Sequence, residues 1–169
     1  MRKTLQRGSI KRFRTISIFV LGVIALFASL ASGAEDDVLK ALESVKAGIE
    51  DGVKYARLGE LLDEAKAATN TLQRGVSNEC FRVAALRCYY WYDLGRKSWG
   101  AMIENEKHRD EYERRLESEY HDDRMKEVSP TIIENYGQLI RRAEESLPVK
   151  WEYGHAALAR AHECLSDGR

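Results

Sequence analysis

Residues 129–166 read SPTIIENYGQLIRRAEESLPVKWEYGHAALARAHECLS, and the way this stretch is divided decides the fold. Ser129 followed by Pro130 is a favoured helix start. Serine caps the first free N–H groups, and proline's missing N–H falls where no intrahelical bond is made. Apolar residues then recur at helical spacing as Ile133, Tyr136, Ile140, Ala143 and Leu147. Pro148 interrupts, and the stripe resumes as Trp151, His155, Leu158, Ala161 or His162, and Leu165. A proline in a helix interior either kinks one helix or separates two.

Hairpin register bears on that choice. A turn centred near residue 127 places residue 164 opposite residue 90, within one helical turn of Cys88. A reversal at Pro148 would instead carry Cys164 back towards the 127 turn, away from both other cysteines. Cys80 and Cys88 are eight residues apart, about 12 Å along one helix, too far for a disulfide whose Cα atoms lie within about 7 Å. If that helix is intact, any disulfide uses Cys164; the alternative is three reduced cysteines that simply pack. Register favours Cys88–Cys164, and Cys80–Cys164 is the alternative if the turn is shorter.

The rest of the chain reads as helix too. After the acidic start Glu35-Asp36-Asp37, the stripe is Val38, Leu42, Val45, Ile49. Beyond Asp51-Gly52 it resumes out of phase as Tyr55, Leu58, Leu62, Ala65, Thr69, Leu72, so a kink or short break is expected at Gly52. Gly75 suits a C-cap and Ser77 or Asn78 an N-cap. The next helix is apolar over a wide arc from Phe81 to Leu94 and then charged from Glu104 to Glu127, with i, i+4 pairs such as Glu104–His108 and Asp110–Arg114. No alternating β-branched run suggests a strand. The expected fold is all-α: an antiparallel bundle of three long helices near 35–75, 77–125 and 130–166, kinked near Gly52 and Pro148. A four-helix bundle is the alternative.

Residues 1–34 form the other domain of the chain. A basic stretch ends at Arg14, an apolar run extends from about Ile16 to Leu30, and Ala31-Ser32-Gly33-Ala34 provides the small residues of a cleavage site before Glu35. The apolar run is short of the roughly 20 residues that a spanning helix needs. A cleavable secretory leader is expected, followed by a helical domain over 35–169. The leader holds six Lys and Arg and no acid, which leaves 21 basic against 27 acidic residues in the remainder, a net −6. An acidic domain without a basic face is a poor nucleic-acid binder.

Candidate sites are few. The run Tyr89-Tyr90-Trp91-Tyr92 must point in several directions, so part of it faces solvent or a neighbour. Hairpin register gathers Tyr92, Trp99, Met102, Trp151 and His155 into one aromatic zone, a candidate ligand or partner surface. Glu152, His155 and His162 are the residues on which a metal reading would rest. The chain has one Glu-x-x-His where a di-iron bundle needs two. His121-Asp122-Asp123 offers polar ligands at the hairpin tip. No phosphate loop, nucleophile elbow or zinc-protease motif occurs. No cofactor is expected. The reading is an exported, non-enzymatic bundle, periplasmic or secreted, that works through a protein partner or the envelope at the 104–127 arm or the aromatic zone. It has no stable membrane span once the leader is cleaved. The alternatives are a small-ligand or metal-binding bundle, and a membrane-anchored protein with an uncleaved leader.

Overall fold

The computed structural model describes residues 33–72, 78–118 and 123–167. Residues 1–32 of the expected leader, the Gly75 and Ser77 caps and the side chains of the His121-Asp122-Asp123 tip lie outside them, whereas Gly33 and Ala34 of the expected cleavage segment stand in the first described helix. Among the described residues there are four helices and no strand. They are α1 over 33–50, α2 (Tyr55–Leu72), α3 (Glu79–Ser118) and α4 (Asp123–Asp167). The fold is an all-α antiparallel bundle. None of the helices is long and apolar enough to cross a membrane.

The phase slip at Gly52 is a chain reversal. Gly52 has φ 65°. Its N–H donates to Ile49 O at 3.2 Å, and the Val53 N–H donates to Gly48 O at 3.0 Å. These two bonds are the Schellman pattern, which closes a helix through a glycine in the left-handed region. Leu61 then packs against Gly48, residues that one straight helix would hold about 20 Å apart. The count of four therefore comes from Gly52 and not from Pro148. The expected stripes are the buried faces. Val38, Leu42 and Val45 of α1 and Leu58, Leu62, Ala65 and Leu72 of α2 are 2% exposed or less. Each such valine or leucine side chain stabilises the fold by about 1.5–3 kcal/mol through removal from water.

Asn78 starts α3 and closes the end of the bundle. Its Oδ1 accepts the N–H of Cys80 at 3.0 Å, as an N-cap does. Its backbone N–H donates to Glu35 Oε1 at 2.8 Å, and its side-chain amide donates to Cys164 O at 2.9 Å. One residue thus ties the starts of α1 and α3 to the end of α4.

The hairpin of α3 and α4 corrects two expectations. Ser129-Pro130 does not start a helix, because α4 begins six residues earlier and runs through both prolines. Pro148 is exposed, and the carbonyl it deprives of a partner belongs to exposed Glu144, where water can replace the bond. The earlier turn shifts the register. Cys80–Cys164, Gly95–Trp151 and His108–Tyr136 face one another across a hairpin centred near residue 122. Cys164 accordingly forms its disulfide with Cys80, Cα–Cα 5.6 Å, and not with Cys88, which is buried and free.

The two long helices interlock through glycines. A Cβ on Gly95 would overlap the Trp151 ring, and a Cβ on Gly154 would overlap the Tyr92 ring. Each helix thus gives up a side chain where it receives the other's aromatic. Gly95 and Gly100 do not interrupt α3.

Candidate functional site

Of the five aromatic-zone residues, Tyr92 belongs to the core, Trp99 and Trp151 pack half-buried against it, and Met102 and His155 are half-buried. Tyr92 is fully buried, its ring 5.7 Å from His155, edge to face, and 6.4 Å from Trp151. Trp99 turns instead to Tyr55, an edge-on pair at 5.6 Å. Met102 is half-buried one turn further along α3. Burial raises the Tyr92 hydroxyl pKa and pushes the Cys88 thiol up to about 12, so neither ionises at neutral pH. The His155 pKa is lowered, first by burial and then by Lys46, which keeps the ring neutral; its Nε2 is buried without a hydrogen-bond partner. Trp99 and Trp151 line an apolar cavity of about 170 Å³ under the α1–α2 turn, with Ile49, Val53 and Leu147.

The metal candidates do not converge. His162 pairs with Glu43 of α1 at 3.0 Å, His155 lies against Tyr92, and Glu152 is exposed. Among the described residues no group of three or more His, Cys, Asp or Glu side chains could hold a metal ion.

A polar station joins the helices near Pro148. Lys150 Nζ donates to Ser98 Oγ at 2.5 Å and to Ser146 Oγ at 2.7 Å. Burial holds the Lys150 ammonium below its ordinary pKa. A serine beside such a lysine is a nucleophile–base arrangement in some hydrolases. Here each hydroxyl donates to its own helix, Ser98 to Leu94 O and Ser146 to Ala143 O. None of the three side chains lines the small cavity or the groove described next. Their geometry serves to cross-brace α3 and α4.

Sequence reasoning missed a larger feature. On the face of α3 and α4 turned away from α1 and α2, a groove of about 820 Å³ opens between Val83, Arg87 and Trp91 on one side and Tyr153, Ala156 and Arg160 on the other. Trp91 stacks on Tyr153 with ring centroids 4.7 Å apart. Val83 and Tyr153 are each 52% exposed, and Tyr90 beside them is 57% exposed. The aromatic run 89–92 was the available signal, since one of its rings had to point outward. Which rings did so depended on where α1 and α2 settle.

Of the charged stretch expected over 104–127, the structure describes the α3 side chains as far as Glu117. Glu104 and His108 lie 3.8 Å apart, and Arg109 reaches Glu113 at 3.9 Å. Arg114 takes the Asp110 carbonyl rather than its carboxylate. His108 stacks on Tyr136 across the hairpin at 6.3 Å. Exposed pairs of this kind contribute a few tenths of a kcal/mol each. No family model, no curated protein and no solved structure matches the chain.

Proposed function

We propose that this is an exported, non-catalytic helical bundle that acts by binding a partner protein along its α3–α4 arm. One observation carries the reading. α3 and α4 continue beyond the level of Tyr55 and Trp99, where α2 meets α3, as a hairpin of two helices; among the described residues the core cluster draws its α1 and α2 members only from the other end. From Arg96 to Glu117 no described side chain of α3 is buried, and over 129–147 of α4 only Ser129 and Ile140 are. Ile103 and Leu139 stand 40% and 47% exposed on it. A two-helix ribbon has little core of its own, and further helices supply one. The Cys80–Cys164 disulfide and the leader-like residues 1–34 support an oxidising compartment outside the cytoplasm. A photoreactive amino acid placed at Ile103 or Leu139 in the native compartment should cross-link to a specific protein. Cross-linking no stronger than from an exposed position of α1, such as Ser44, would sink the reading.

A further inference from the structure

We propose that the α3–α4 groove is a second binding site and that its occupant is an amphipathic helix of a partner protein bearing acidic side chains beside its apolar stripe. The floor is small: Ala84 and Ala157 are buried, and Ala156 has only a methyl to offer. A floor of small residues between two antiparallel helices lets a third helix seat its ridge closely. From Glu79 to Trp91 the groove runs about 18 Å, roughly three helical turns. Val83 and Tyr153 on its two walls are exposed, so a small molecule would leave much of its surface wet, whereas pocket ligands are typically about 70–90% buried. A helix lying lengthwise leaves only its polar face in water.

Charge selects the partner's sign. Glu79 on the rim is neutralised by Arg82 at 2.6 Å, and Arg160 on the opposite rim by Glu163 at 2.7 Å. Arg87 has no ion-pair partner among the described residues and stands exposed midway along the wall. The uncompensated charge of the groove is therefore positive, on a domain whose net charge is negative. It favours a carboxylate beside the apolar ridge and disfavours a lysine there.

This inference rests on the reading that the molecule works through proteins, but it uses a different surface. The probe is a labelled amphipathic peptide of about 14 residues, made with glutamates flanking its leucine stripe and again with lysines. Fluorescence anisotropy with the disulfide-intact protein should show the Glu peptide binding roughly tenfold or more tighter than the Lys peptide. Arg87→Glu should reverse that preference. Ala156→Trp should abolish binding of both peptides while leaving the melting curve and the Ile103 cross-link intact. Equal binding of the two peptides, no binding of either, or indifference to Arg87→Glu would overturn the assignment. So would a dimer of this chain that occupies the groove and excludes the peptides. Loss of the Ile103 cross-link with peptide binding retained would instead count against the arm alone.

Discussion

Between Glu79 and Gly95, α3 buries Phe81, Ala84, Ala85, Cys88 and Tyr92; between Arg96 and Glu117 the same helix buries no described side chain. The two halves are one uninterrupted helix, and both pack on α4. What differs is company. The first half has α1 and α2 against it, a disulfide, and an asparagine that ties three helix ends together. The second half meets α2 only at its start, where Arg96 and Trp99 lie on Tyr55, and beyond that has a stacked His108–Tyr136 pair and solvent-exposed contacts such as Arg109–Glu113. Helical stability here follows the neighbours, since propensity and surface pairs leave a helix marginal and a buried face supplies most of the rest.

The largest expected effect lies in the four-helix half. Cys80→Ser should cost about 4 kcal/mol, because the bond closes 84 residues of sequence and its loss frees that loop in the unfolded chain. Chemical denaturation with and without reductant reads this. A reduced wild type as stable as the oxidised protein would mean that the disulfide does not hold the base. A pair of truncations sharpens the contrast. Leu62→Ala, at a side chain 2% exposed, should cost about 2–5 kcal/mol. Ile103→Ala, at one 40% exposed, should stay within about 0.5 kcal/mol. Similar losses at the two sites would erase the distinction between the halves.

A smaller effect comes from His155. Its folded pKa lies below the ordinary value because burial disfavours the charged ring. Between that lowered value and the unfolded one near about 6.5, the unfolded chain binds more protons. The stability due to this residue is therefore present above about pH 6.5 and is lost as pH falls towards the folded pKa. The denaturation midpoint should decline from about pH 7.5 to about pH 5.5, and His155→Phe should flatten that decline. A His155→Phe profile parallel to wild type would show that the ring titrates freely in the fold.

Much of the base was legible because each stripe there faces one core. Val38, Leu42 and Val45, and then Leu58 to Leu72, recur at helical spacing, and the structure buries them as a set. The glycine at which the phase slips was legible as a break. Its sense was not, since the contact of Leu61 with Gly48 involves residues 13 apart that no local pattern links. Ser129-Pro130 misled because a good cap scores well wherever it stands, while an exposed proline is tolerated inside a helix whose freed carbonyl meets water. That error of a few residues in the turn moved the expected disulfide by two helical turns, from Cys80 to Cys88. Tyr92, Trp151 and His155 lie together because a register error of a few residues still leaves long aromatic side chains within reach, and the Trp91–Tyr153 groove lay on the face that the sequence could not say was uncovered.

Native-state hydrogen exchange along α3 tests the division of the molecule most directly, because both halves lie on one helix and share every solution condition. Amides of 82–95 should exchange only through global unfolding. Those of 101–117 should exchange roughly a hundredfold or more faster through local opening of the arm. Uniform protection from 82 to 117 would contradict the account, since an arm as stable as the base would have no need of a partner to cover it.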